Sequence, residues 1–303
     1  MNVIEIDRLV KTYGDLRALD AFSLAIPKGA IFGFLGPNGA GKTTTIRILL
    51  GLLSSSSGAS RVFGLDCWRD RTKIAARVGY LPGDVRFLSR QSGRAFLNFC
   101  DYARGGTSAA EMTRLAGRFQ LDLDRRIRDY SRGMKQKLGL IQALMHRPEL
   151  MILDEPGTAL DPLVLQTLYD ELRGAAAEGR SILFSSHTLS EVDQLCDCVA
   201  VIRAGRLVES GAMSELRARA PRRILFALEP GASLIEAPHG AFHRGANADN
   251  RIVGTWIGDT QTLLDWLRAM RLTDLEIGPP TLEEMFHRLY RDTTAAQDGG
   301  ATR

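Results

Sequence analysis

The sequence predicts an α/β fold, a mainly parallel sheet between helices, followed by a smaller α+β domain. Short apolar runs recur at residues 30–35, 150–153, 182–184 and 199–202, most of them bounded by Gly, Asp or Ser. Strands that are apolar throughout are buried on both faces, as in a helix-covered parallel sheet. Between these runs the spacing turns helical: Met134, Leu138, Ile141 and Met145 share one face, as do Leu165, Leu168, Tyr169 and Leu172. Strand and helix in alternation mean α/β. Near residue 220 the texture changes to strand-like stretches at 222–230, 251–258 and 272–278, with a helix at 262–270.

Taken along the chain, the run 30–35 leads into Gly36-Pro37-Asn38-Gly39-Ala40-Gly41-Lys42-Thr43, and Thr44 then opens an apolar helix over 44–53. This is G-x-x-x-x-G-K-[ST] in its required strand-to-helix setting. Glycines let successive N–H groups curl around phosphate oxygens, and the helix N-terminus adds a positive field. Lys42 is placed to reach β- and γ-phosphates, and the Thr43 hydroxyl to ligate Mg²⁺. Nucleoside triphosphate binding is expected. Residues 68–130 read as a mainly helical insertion, in which Ser108 and Glu111 have capping-box spacing. The run 150–153 ends in Asp154-Glu155. On a parallel strand beside the phosphate loop, Asp154 would approach Mg²⁺ through a water, while Glu155 on the opposite side polarises an attacking water.

Asp161 followed by Pro162 is a helix start. Ser185-Ser186-His187 closes the next strand, where the histidine either touches a γ-phosphate or is an ordinary loop residue. A second capping box, Thr281 with Glu284, is expected to open a last helix to about Tyr290, and the polar stretch 291–303 is expected to be disordered. The expected division is 1–217, with a helical subdomain at about 84–145, then 222–290 and the tail.

Composition narrows the class. A chain of 303 residues, 45% hydrophobic and 24% charged, is neither disordered nor collagen-like. No apolar stretch reaches the roughly 18–20 residues of a membrane span, and Glu5 and Asp7 stand where a signal peptide is basic and then apolar. The net charge of +4 permits anionic partners without specifying one. Four cysteines are too few for a disulfide framework, and Cys196 and Cys198 have no second ligand pair nearby. A reduced cytosolic setting fits.

Tyr130-Ser131-Arg132-Gly133-Met134-Lys135-Gln136-Lys137 opens a helix ahead of the Asp154-Glu155 strand. The segment resembles the L-S-G-G-Q signature of ATP-binding cassette (ABC) ATPases. The order of the other motifs matches as well, with Ala159-Leu160-Asp161 as the D-loop and His187 as the switch histidine, over residues 1–215. The resemblance implies a P-loop cassette with an N-terminal antiparallel β region and a helical subdomain, using ATP and Mg²⁺. It implies that Tyr13, otherwise an ordinary turn tyrosine, stacks on adenine. It implies that Glu155, His187 and Lys42 are catalytic. Ser131 and Gly133 would bind the γ-phosphate of ATP held by a second copy in a head-to-tail dimer, with Asp161 across the interface.

One position departs from the family. After residues 78–82 a glutamine is expected, and this chain has Gly83, then Asp84, which could substitute only in part. Slower or differently coupled hydrolysis is expected. The variant signature and Leu282-Glu283-Glu284-Met285-Phe286 are similar to type-2 exporters of drugs, lipids or polysaccharides. The resemblance therefore implies a peripheral subunit on the cytoplasmic face of a membrane, driving a polytopic transmembrane permease. Alternatives are an importer subunit, or a soluble cassette ATPase acting on nucleic acid or ribosomes. A nucleic-acid partner is not expected, since no basic stripe is interleaved with aromatics. Phe96, Leu97, Phe99 and Tyr102 are either docking residues for the permease or the helical subdomain's own core.

Overall fold

Alternating apolar residues make the first hairpin. β1 (Asn2–Tyr13) and β2 (Leu16–Pro27) pair antiparallel, with Ile4 opposite Ile26 and Ile6 opposite Leu24, all buried on one face. β3 (Ile31–Leu35) is buried at every residue and feeds α1 (Lys42–Leu49). β4 (Ser57–Val62) and β5 (Leu65–Asp66) complete a four-stranded antiparallel sheet in the order β2-β1-β4-β5. The computed structural model describes residues 1–87, 90–219, 221–245 and 251–278, in two compact units, Met1–Ala212 and Met213–Arg303.

The rest of the first unit is α2 (Arg71–Arg77), β6 (Val78–Leu81), α3 (Gly93–Tyr102), α4 (Ala109–Arg118), α5 (Arg132–Leu144), β7 (Leu150–Asp154), α6 (Pro162–Ala177), β8 (Ser181–Ser186), α7 (Leu189–Leu195), β9 (Cys198–Arg203) and β10 (Arg206–Ala212). The core sheet runs β10-β9-β3-β8-β7-β6, parallel except for β10. β7 and β8, like β3, are buried throughout, as their unbroken apolar runs predict. Adjacent parallel strands end side by side: Leu35 pairs with Ser186 and Asp154 with Ser185. That pairing brings motifs distant in sequence to one edge of the sheet.

The helical stretch begins later than residue 68, because β6 belongs to the core sheet beside β7. The Ser108–Glu111 capping box is not made. The Asp101 carboxylate instead accepts from the Ser108 N–H at 2.8 Å, and Glu111 pairs with Arg114. The apolar residues of α3 divide. Leu97 is buried and Phe96 packs edge-on to Phe87 with centroids 5.0 Å apart, whereas Phe99 and Tyr102 are 66% and 83% exposed.

α5 lies so close to β6 that a Cβ on Gly79 would run into the Ala143 carbonyl. Just beyond α5, His146 Nε2 donates to the Val78 carbonyl at 3.3 Å. Burial, reinforced by Arg104, lowers the His146 pKa from 6.5 to about 4. The unfolded chain then takes up this proton below pH 6.5 and the folded chain only near pH 4, so stability is lost as pH falls through that window. The loss expected from this residue is about 3 kcal/mol. Urea unfolding at a series of pH values should show a shallower decline in His146→Gln.

In the second unit, α8 (Met213–Arg219) precedes β11 (Arg222–Leu228), β12 (Phe242–Arg244), β13 (Ile252–Trp256), α9 (Thr260–Arg268) and β14 (Leu272–Gly278). The strands form an antiparallel sheet, β12-β13-β11-β14. Asp259 caps α9 by accepting from the Thr262 N–H at 2.9 Å. The apolar face of α9 closes on the sheet, with Trp256 and Trp266 stacked 5.4 Å apart beside Ile224, Phe226 and Leu263. β12 carries too short an apolar signal to be read from sequence. The Thr281–Glu284 capping box, the 282–286 motif and the tail lie outside the described residues.

Candidate active site

The loop between β3 and α1 is a cradle that only small residues can form. Gly39 and Gly41 adopt φ of 80° and 112°, in the left-handed region that a side chain disfavours. Gly41 is the N-cap of α1 and has no side chain to satisfy the first N–H groups of the helix, which suits them to an anion. A cavity opens there, lined by Pro37, Asn38, Gly39 and Gly41, by Lys42, Thr43 and Thr44 of α1, by Tyr13, Leu16 and Ala18 of the first hairpin, and by Glu155. Gly36 and Ala40 lie behind this lining. The Gly36 carbonyl accepts from Lys42, and the buried Ala40 donates to the Pro37 carbonyl at 3.1 Å.

Lys42 is 5% exposed; its Nζ donates to the carbonyls of Gly36 at 2.5 Å and Pro37 at 3.3 Å, and lies 3.9 Å from Glu155 Oε1. Burial pushes the ammonium pKa below the usual lysine range, against the pull of Glu155 and Asp154. The Thr43 hydroxyl donates to Asp154 Oδ2 at 3.0 Å. Asp154 is itself buried at the end of β7, and its Oδ1 accepts from the Ser185 hydroxyl at 2.5 Å.

Glu155 is the strained residue of the site, at φ 50° without being glycine. Its N–H is held by both the carbonyl and the hydroxyl of Ser185, each at 3.1 Å, and its carbonyl accepts from the Thr158 N–H at 3.2 Å. Its Oε1 lies 3.3 Å from His187 Nδ1. Lys42, Thr43 and Glu155 therefore line one cavity, with Asp154 bonded to Thr43 and His187 set against Glu155. Tyr13, 46% exposed, stands at its rim with the Lys11 ammonium 5.2 Å from the ring centre.

Ser131, Gly133 and Asp161 do not line this cavity. Ser131 caps α5, accepting from the Met134 N–H at 3.2 Å, and Asp161 caps α6, accepting from the Val164 N–H at 3.0 Å. Gly133 is pressed against the D-loop, where a Cβ would come within 2.8 Å of the Ala159 carbonyl. Asp84 is turned outward to Arg86 at 2.7 Å, so it does not take the place of the missing glutamine. The sequence gives Ser185 no role of its own. A serine ending an apolar strand beside Ser186 and His187 is the only signal for it, and the bonds to Asp154 and Glu155 come from strand pairing.

A phosphate cradle at the carboxyl end of a parallel sheet, with two carboxylates and a histidine around it, defines a nucleoside triphosphatase of the P-loop class. A family model described as ABC transporter matches residues 19–158. The bacitracin transport ATP-binding protein BcrA of Enterococcus faecalis is 36% identical over 244 residues, covering 80% of this chain and 79% of that protein. The daunorubicin/doxorubicin resistance ATP-binding protein DrrA of Streptomyces peucetius is 33% identical over 304 residues, covering 93% of this chain and 91% of that one. A solved ATP-binding subunit of an ABC transporter superposes with a TM-score of 0.66 at 28% identity, over 71% of this chain and 92% of that one. The chain belongs to the ABC transporter family and is one of its ATP-binding, ATP-hydrolysing proteins. Among the described residues no helix is long and apolar enough to cross a membrane.

Proposed function

We propose that this chain is the ATPase subunit of a membrane exporter, at the cytoplasmic face, in which two cassettes close head to tail over two ATP molecules and drive a separate polytopic permease. In this reading residues 1–217 are the cassette, with a helical subdomain at about 84–145, and 222–290 an accessory domain. The observation that carries it is the split of the site. Lys42 and Glu155 line the phosphate cavity and His187 sits against Glu155, while Ser131 and Gly133 contact neither the cavity nor these side chains and are left for the ATP of a second copy. Relatives named for bacitracin transport and for daunorubicin/doxorubicin resistance favour export.

Residues Gly36 to Thr44, through the loop N–H groups that all but Pro37 carry, and the Lys42 ammonium hold the β- and γ-phosphates, and Tyr13 stacks on adenine. Glu155 accepts a proton from water as the water oxygen attacks the γ-phosphorus and the bond to the β-phosphate oxygen breaks, releasing ADP. His187, beside Glu155, faces the γ-phosphate, and Asp161 lies across the dimer interface. The paired oxygens of Thr43 and Asp154 are hard donors suited to Mg²⁺, which when bound neutralises charge on the phosphates.

At Gly83 a Cβ would sit 3.4 Å from Asp154 Oδ2, ordinary contact, so a side chain can start there beside that carboxylate. Gly83→Gln is expected to lower the Mg²⁺ concentration for half-maximal turnover about fivefold, the worth of one added hydrogen bond. An unchanged Mg²⁺ titration would show that this chain does not need the amide.

The transporter reading is tested by capturing tagged Glu155→Gln protein from mildly solubilised membranes with ATP present. A polytopic membrane protein should be recovered in roughly equal amount. Recovery of ribosomes or nucleic acid without a membrane protein would overturn the reading.

A further inference from the structure

We propose that Gln136 is a positioning residue for ATP hydrolysis, holding Glu155 in place from the signature helix. Gln136 lies in the second turn of α5 and is 5% exposed, and its Nε2 donates to the Pro156 carbonyl at 3.1 Å. Pro156 follows Glu155 directly, so the bond fixes the chain one peptide beyond the strained residue. Proline has no N–H to give, so the carbonyl is this residue's one backbone hydrogen-bonding group. Glu155 at φ 50° and Ala159 at φ 64° bracket a turn with two non-glycine residues in the left-handed region. Such a turn persists only where its surroundings over-determine it. Ser185 holds it from one side, through the Glu155 N–H. Gln136 holds it from the other, and it comes from the helix whose N-terminus carries Ser131 and Gly133. The Ala159 carbonyl against Gly133 is a second contact between the same helix and the same turn. Any tilt of α5 when the signature engages ATP is thereby passed to the carboxylate that polarises water.

The inference rests on the assignment of Glu155 in the proposed function. It is tested with Gln136→Met, which keeps length and packing but cannot donate, and with Gln136→Glu, which keeps shape but sets an acceptor against a carbonyl. Both are expected to lower kcat by about 10²-fold, the cost of a misplacement near 1 Å. ATP affinity, read with a fluorescent analogue, should stay within about twofold, since the phosphate cradle is untouched. Like Glu155→Gln, both should accumulate the ATP-bound dimer in size-exclusion chromatography, which a general loss of stability would not produce. Wild-type turnover in both variants, or ATP binding lost together with kcat, would overturn the proposal. Wild-type turnover in Glu155→Gln would overturn the assignment of Glu155 itself, and the proposal with it. A Glu155→Gln protein without turnover beside active Gln136 variants overturns the proposal alone.

Discussion

Replacing Glu155 by glutamine is expected to slow ATP turnover by about 10²–10⁴-fold, the range over which a positioned general base accelerates proton transfer. The substitution keeps the shape of a side chain that is already confined, at φ 50° and between Lys42 and His187. What it removes is the basic oxygen. ATP binding should survive and tighten, because a negative charge 3.9 Å from the Lys42 ammonium competes with the phosphates for that cation. Single-turnover hydrolysis and nucleotide titration on the same preparation separate the two effects. Turnover within about threefold of wild type would mean that the water is activated elsewhere, since so small a change is under 1 kcal/mol.

Lys42→Met is expected to weaken ATP binding by at least about 10²-fold and to abolish measurable turnover. Two charge-assisted contacts to phosphate, at about 1.5–3 kcal/mol each, account for that loss. The opposite outcome is expected for the nucleotide-free protein. Lys42 is buried and its charge is destabilised there, so an apolar side chain of similar length should leave the melting temperature unchanged or raised. Calorimetry with and without ATP checks both halves. A variant that melts well below wild type without nucleotide would show that Lys42 holds the loop through the Gly36 and Pro37 carbonyls instead.

The two carboxylates illustrate why part of the site was legible in advance. Lys42, Thr43, Asp154 and Glu155 could be expected at one site because each lies within a local pattern, a strand and the turn that ends it, that the phosphate chemistry demands, and the structure does bring them together. Ser185 and Gln136 carry no such pattern. One meets Asp154 because β8 pairs with β7 in a register that sets the two opposite, the other meets the Pro156 carbonyl because α5 packs against that turn. The same limit explains the capping box at Ser108. Its local spacing is right, yet a buried Asp101 competes for the backbone and Arg114 draws Glu111 away. Asp84 likewise offered a carboxylate near the site, and Arg86, two residues on, turns it outward.

The sequence by itself determined the alternation of strand and helix, the phosphate loop and the order of the catalytic motifs, because these are encoded in hydrophobic period and local turn chemistry. It also determined the change of texture near residue 220. Only the tertiary structure decided which strand ends lie side by side, which polar groups meet there, and that Phe99 and Tyr102 face outward while Leu97 is core. Strand order and helix docking are settled by contacts between residues far apart in the chain, and no local pattern records them.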